Sequence, residues 1–389
     1  MPRESDDQFL RYRFGFVMEQ NLGHRTHYRN LLRYVREDET VTPTWLPLEF
    51  ETDGMLSRLP LLRNNWSARA SLAAWAAVRQ VRRTTTLDAL FYHTQVTALL
   101  SPLHPSMPAV ISLDATPINY DTVGKYYGHA SGGRLERAKW LANRKALGSA
   151  SALITWCRWA KDSLEHDYGI PGEKVTVIPP GVDLARWPER SGWQRVLSSE
   201  GRLPRLLFVG GDFARKGGEV LLKAFRGRLS DLCELHVVTQ SPVAPGHNLY
   251  VYHNVTPNSD TLVRLYREAD IFVFPTLADC APLSVPEAMA ASLPVVTTRV
   301  GAIPEMVTEG ETGLLVEPGD VAGLRASIET LLDRPELRAE MGDAAREIVE
   351  AEYDARHNSQ RLLDVLKGAA DRASRMPHPE RAHPMTVKV

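Results

Sequence analysis

Residues 271–291 read Ile271-Phe272-Val273-Phe274-Pro275, then Thr276-Leu277-Ala278-Asp279-Cys280-Ala281-Pro282-Leu283, then Ser284-Val285-Pro286-Glu287-Ala288-Met289-Ala290-Ala291. The first stretch is apolar without alternation, as in a strand buried on both faces of a parallel sheet. A loop with a carboxylate follows, then a helix with a second carboxylate in its first turns. Repeats of this strand–loop–helix unit build a doubly wound α/β sheet.

The unit recurs in both directions. Strands are expected at Leu206–Val209, Leu235–Thr239, Leu249–Tyr252, Pro294–Thr297 and Gly313–Val316, with helices at Gly218–Phe225, Asp260–Glu268 and Val321–Leu332. The first half shows the same alternation. Short apolar runs at Tyr12–Glu19, Leu87–Tyr92, Ala109–Leu113, Ala152–Thr155 and Val175–Ile178 accompany helices near His27–Val35 and over the basic stretch Leu135–Ser149. The breaker cluster Pro179-Pro180-Gly181-Val182-Asp183 divides the halves. The polar stretch that follows, with Trp187 and Trp193, reads as a linker. The expectation is two α/β domains, residues 1–182 and 204–352, joined by a linker at 183–203. The end of the chain, 369–389, carries Arg, Pro and His without periodicity and is expected to be disordered.

Composition narrows the function. The chain has 389 residues, 43% hydrophobic and 24% charged, with net charge −1. Such a balance gives no global field that would draw nucleic acid. Cys157, Cys233 and Cys280 are too widely spaced for a metal motif or a disulfide framework, which points to a reducing cytosol. Met1–Gln8 is polar and acidic, unlike a signal peptide. No apolar run approaches the roughly 18 residues of a membrane span. The expected location is cytoplasmic, with contact at the inner membrane surface left open.

Ligands of open parallel sheets bind at the carboxyl ends of strands. There, Asp279 and Glu287 stand eight positions apart, and the N–H groups near Leu283 and Ser284 start a helix, an arrangement suited to sugar hydroxyls and a diphosphate. Each carboxylate could equally be a loop charge or a dipole partner. Gly210-Gly211 precede Arg215 and Lys216; glycines admit a phosphate close to the backbone, and the cations would neutralise it. Gly301-Ala302-Ile303 follow another strand, and their amides could face the same ligand or simply form a turn. In the first half, Gly23, His24 and His27 follow the first strand, His93 ends the next, and Asp114 ends the one after that. The stretch Tyr126, Tyr127, Arg134, Arg137, Lys139, Trp140, Arg144 and Lys145 could meet an anionic membrane surface or an acidic acceptor. The favoured reading is a solvated helix with Trp140 and Leu141 facing inward.

The segment Asp279–Glu287 resembles the E-x7-E motif of family 4 glycosyltransferases with the GT-B fold, here as Asp-x7-Glu. Phe208–Gly218 resembles that family's donor-phosphate loop, Val177–Asp183 its hinge, Ala269–Thr276 the strand feeding the acidic motif, and Gly301–Glu305 and Gly310–Val316 its remaining motifs. The resemblance is specific over Val175–Val349 and loose before it. It implies two Rossmann-like domains facing across a cleft, with a helix at 353–368 packing back on the first. It implies a retaining transferase that moves a sugar from a nucleotide diphosphate, most often UDP, to an acceptor hydroxyl of a glycan, glycolipid or small molecule. No cofactor or metal is implied. Glu287 would hold the ribose and Asp279 the donor sugar. Lys216 would meet the diphosphate, as would Arg215 in place of the family's Arg, where this chain has Gly211. Gly23 would approach the donor phosphates. Asp114 stands where many relatives have a His, and His24, His27 and His93 are acceptor-side candidates. A sugar-nucleotide epimerase of the same shape and a non-catalytic binding protein are the rival readings.

Overall fold

The computed structural model of the chain describes residues 11–20, 23–49, 65–123, 134–187, 191–192, 194 and 201–375. Among these, twelve strands form two six-stranded sheets. The first contains β1 (Tyr12–Glu19), β2 (Val41–Leu48), β3 (Ala89–Tyr92), β4 (Ala109–Leu113), β5 (Ala152–Thr155) and β6 (Val175–Val177), in the order β2-β1-β3-β4-β5-β6. The second contains β7 (Arg205–Val209), β8 (Glu234–Val238), β9 (Leu249–Tyr252), β10 (Ile271–Phe274), β11 (Val295–Thr298) and β12 (Gly313–Val316), in the order β12-β11-β10-β7-β8-β9. All ladder pairs are parallel. Within each sheet, therefore, the carboxyl ends of the strands lie along one edge, where the loops that carry function gather.

The sequence reading missed one strand and several helices. β2 contains Pro43 and Pro47, which argue against a strand, and only Val41 and Leu46 of its residues are buried. It pairs with β1 alone, at the sheet edge, where a missing N–H costs no ladder bond. The helices Trp66–Val81 and Pro335–Glu352 also went unread.

Two expectations about the chain's connections change. Trp187, expected in a polar linker, is 1% exposed and lies edge-on to Tyr266 with centroids 5.1 Å apart. The last helix, Ala355–Arg375, runs seven residues into the segment expected to be disordered. Ala369 and Ala370 are buried there, so continuing the helix covers apolar surface. Residues 376–389 and Trp193 lie outside the described residues. This helix packs Leu362, Leu363 and Leu366 against Phe14, Phe16, Phe91 and Ile154 of the first sheet. The chain returns to that sheet through a narrow crossing. Val182 N–H donates to Tyr353 O at 2.7 Å, Ala355 N–H donates to Val182 O at 3.0 Å, and a Cβ on Gly181 would lie 2.2 Å from Ala355 Cα.

Candidate active site

In the second half, the loop after β7 and the loop after β10 meet. Lys216 Nζ donates to Asp279 Oδ2 and lies 5.3 Å from the centroid of the Phe274 ring. Burial lowers the Lys216 ammonium below its ordinary range, and the Asp279 charge opposes that shift. The other Asp279 oxygen accepts the Cys280 N–H at 3.0 Å. Arg215 holds the same loop in place. Its guanidinium donates to Ala278 O at 2.8 Å and to Asp212 Oδ2 at 3.1 Å, while its carbonyl accepts Leu277 N–H at 2.9 Å. Arg215, Lys216 and Asp279, read separately in the sequence, thus form one cluster. Of the two glycines, Gly210 donates to Val238 O at 2.9 Å, and Gly211 is exposed, with open space where a Cβ would project.

Glu287 lies in the first turn of the helix Ser284–Ala290 and is buried. Tyr266 Oη donates to its Oε2 at 3.1 Å. Burial raises the Glu287 carboxyl to about 7, with the Tyr266 hydrogen bond opposing. Leu283 and Ser284 are half-buried at the start of that helix. Tyr266 was not singled out in the sequence. Its only signal is its place beside Leu262 and Leu265 on the buried face of the helix Asp260–Glu268.

Gly301, Ala302 and Ile303 act as a brace in this geometry. The amides of Ala302 and Ile303, expected to face a ligand, donate instead to Cys280 O at 2.8 Å and Val300 O at 3.1 Å. Gly301 has φ +55°, and a Cβ there would stand 2.3 Å from Asp279 O. The turn therefore backs the Asp279 loop directly, at a position suited to glycine.

The first half contributes the ends of β1, β3, β4 and β5. Thr94 Oγ1 donates to Glu19 Oε2 at 2.7 Å, and Tyr120 Oη donates to Asp114 Oδ1 at 3.1 Å. Burial raises the Asp114 carboxyl, as does Glu19 nearby, while His24 and the Tyr120 bond oppose the rise. Glu19 and Tyr120 were missed because Glu19 reads as the end of a strand and Tyr120 lies in a short helix, Pro117–Thr122, that the sequence reading did not find. His27 Nδ1 and His93 Nε2 are 2.9 Å apart, and both rings pack with Trp156. Burial lowers His27 to about 3 and His93 well below the ordinary range, with His24 adding to both shifts. These two imidazoles are a neutral core pair. Both are buried, which runs against their reading as acceptor-facing groups. His24 is half-buried, stands edge-on to His93 with centroids 5.0 Å apart, and is near enough to act on Asp114. Gly23 is exposed just before the helix His24–Tyr34, with nothing within 4 Å of an added Cβ.

The two halves meet at Cys280. Burial raises its thiol far above the ordinary range, with Asp114, Asp279 and Cys157 adding to the rise and Lys216 opposing it. Cys157 Sγ in turn donates to Asp114 O at 3.5 Å. Asp114, just past the end of β4, is therefore near enough to act on Cys280, which follows Asp279 in the same loop. On the outer face of the first half, Trp140 stacks on Tyr168 and donates to Asp167 O at 3.2 Å. Leu141 is 50% exposed, contrary to an inward-facing reading. Tyr126 and Tyr127 lie outside the described residues. Among the described residues, no group of three or more His, Cys, Asp or Glu is placed to hold a metal ion. Nor is any described helix long and apolar enough to cross a membrane.

Comparison with known proteins places both halves. The family model described as "Glycosyltransferase Family 4" matches residues 23–186, and "Glycosyl transferases group 1" matches residues 203–334. The chain belongs to the family 4 glycosyltransferases. A glycogen synthase of Mycobacterium tuberculosis is 29% identical over 293 residues, covering 70% of this chain and 66% of the relative. Across the first curated relatives, the matched region spans about half to two thirds of their length, from 52% to 66%. Sucrose-phosphate synthase from Thermosynechococcus elongatus shares the fold at TM-score 0.74 and 16% identity, covering 92% of this chain and 99% of that one. Anabaena HepE, solved with UDP-glucose, matches at TM-score 0.65 and 15% identity, covering 92% and 99%. The chain thus has the GT-B fold.

Proposed function

We propose that this family 4 member is a retaining glycosyltransferase that moves a hexose from a UDP-sugar to an acceptor hydroxyl of a glycan, glycolipid or small molecule. The observation that carries this is the partly buried Lys216–Asp279 pair, which joins a cation for the diphosphate to a carboxylate for the sugar. The UDP-glucose bound to HepE supports the donor class. Residues 204–352 would bind the donor and residues 1–182 the acceptor, with the helix expected at 353–368 bridging back.

In this reading Glu287 accepts hydrogen bonds from the ribose hydroxyls, and Asp279 accepts them from the sugar. Asp reaches one methylene less far than the family's usual Glu, so the sugar must approach more closely. Lys216 offsets charge on the leaving diphosphate. Arg215 holds the loop and adds positive potential beside it. Asp114 faces the sugar from the other half, with His24 next to it. The acceptor hydroxyl attacks on the face that the diphosphate leaves. Its proton passes to the departing phosphate oxygen, so no separate protein base is required. The two cations supply the charge a metal would bring, so chelation with EDTA should leave the rate unchanged. We place the enzyme in the cytosol. Exposed Leu141, Arg137, Lys139 and Lys145 would allow contact with an anionic bilayer.

The test is to incubate the protein with UDP-sugars, with and without glycan, lipid and small-molecule acceptors, and to follow UDP release and donor identity. UDP release that depends on acceptor supports transfer. Isomerised donor would instead make it an epimerase, and binding without turnover a sugar-nucleotide-binding protein.

A further inference from the structure

Glu305 belongs to the short helix Ile303–Met306 of the second half, yet both carboxylate oxygens are spent on the first half. Oε2 accepts the backbone N–H of Arg158 at 2.7 Å, and Oε1 accepts that of Trp159 at 2.6 Å. These amides open the nine-residue helix Arg158–His166, which has no acidic residue in its first turn and no side-chain cap from Cys157. A helix start leaves N–H groups unpaired and partly positive, so an anionic acceptor suits it. Here that acceptor comes from across the cleft.

On its own side, Glu305 is tied to the donor centre by a short run of backbone. Its N–H donates to Ala302 O at 3.0 Å, Ala302 N–H donates to Cys280 O at 2.8 Å, and Gly301 lies against the Asp279 carbonyl. Other contacts between the halves run elsewhere. Arg29 donates to Pro257 O at 2.6 Å, and Asn258 donates to Asn30 Oδ1 at 3.3 Å; both join the helix His24–Tyr34 to the loop before Asp260. Neither touches the loop of Asp279.

We propose that Glu305 is a positioning residue that clamps the two halves together and, through the same contact, seats the Gly301–Ile303 turn behind Asp279. The clamp stands on geometry alone. Its effect on transfer rests on the reading of Asp279 as the sugar-binding carboxylate.

Two variants attack the contact from opposite sides. Glu305→Gln keeps the size but removes the charge and turns an amide N–H toward two N–H donors. Arg158→Pro removes one of those donors. Position 158 is the first of its helix, and Cys157 before it has φ −153° and ψ 165°, a backbone that tolerates a following proline. Glu305 is solvent-exposed, so the effect belongs at the low end for a charge-assisted pair, about a tenfold loss of kcat/KM in each variant. UDP affinity by calorimetry should stay within about twofold of wild type. The share of donor hydrolysed rather than transferred should rise, because a looser cleft admits water. The double variant should be no worse than the weaker single one, since both break one contact. Small-angle scattering should show a larger radius of gyration for both.

Wild-type kcat/KM and scattering in Glu305→Gln would overturn the proposal. So would additive losses in the double variant, or a parallel fall in UDP affinity, which would mean local damage to the donor site. If the wild-type protein neither binds UDP nor turns over, the proposed function fails. Scattering and a double-mutant cycle on melting temperature then still decide whether the clamp exists.

Discussion

Lys216 and Asp279 are 63 positions apart in the chain and in direct contact in the fold. If Lys216 stabilises the leaving diphosphate, Lys216→Met should lower kcat by about 10²-fold and also lower the melting temperature, since it leaves the buried Asp279 carboxylate without its cation. Arg215→Ala should cost about 10²-fold as well, because it removes both potential near the phosphate and the bond to Ala278 O. Steady-state kinetics with a UDP-sugar check both, and near wild-type turnover in either would remove that residue from the mechanism. Glu287 gives a prediction with a defined sign. Its carboxyl rises from an ordinary 4.5 to about 7 in the folded chain, so the folded state binds the proton more tightly than the unfolded one. That contribution is fully present below about pH 4.5 and is lost as pH rises through about 7. Glu287→Gln never ionises, so its melting temperature should match wild type near pH 4.5 and exceed it at pH 8, by a free energy on the order of 3 kcal/mol. Its nucleotide affinity should fall at the same time, by about tenfold. A melting difference that stays flat with pH would contradict the buried-acid account. At this scale the sequence shows the residues with motif spacing: Asp279, Glu287, Lys216. It hides their partners, because Tyr266 and Glu305 acquire meaning only from what lies beside them in space.

The strand–loop–helix units were legible because a strand buried on both faces leaves an unbroken apolar run. β1, β4, β5, β9 and β12 fall on the residues expected. β2 was hidden because an edge strand needs neither a continuous apolar run nor every N–H. The turn at Gly301 was seen as a turn, but its task was not. Its amides face the Cys280 and Val300 carbonyls, which no local pattern announces. Gly301→Ala tests that task. Alanine must adopt φ +55° and place a Cβ against the Asp279 carbonyl, at a cost of roughly 1–3 kcal/mol. The expected result is a lower melting temperature and about a tenfold loss of kcat, with UDP affinity little changed because Glu287 lies on a different element. Loss of UDP binding in step with turnover would mean that the turn supports the whole donor site rather than Asp279.

The molecule as a whole is held by a helix that belongs to one half in sequence and to the other in packing. Leu362, Leu363 and Leu366 complete the core around Phe14, Phe16 and Phe91. A chain ending at Asp354 should therefore lose the fold of its first half, since several buried leucines at about 2–5 kcal/mol each exceed the margin of a typical domain. Its second half should still bind UDP. Limited proteolysis with calorimetry would check this, and a truncated chain whose first half resists protease would refute it. The sequence suggested the helix, but not that it would run on to Arg375, because Ala369 and Ala370 look unremarkable without the sheet they cover. The same arrangement bears on how the protein is made. The ribosome delivers β1 long before the helix that covers it. Protein domains usually fold in the order in which they emerge. Here the second sheet can close while the first still exposes an apolar face, which must wait for the helix Ala355–Arg375 to emerge. The nascent first half is thus the stage most exposed to aggregation and to chaperone capture, and slowing translation should not relieve it.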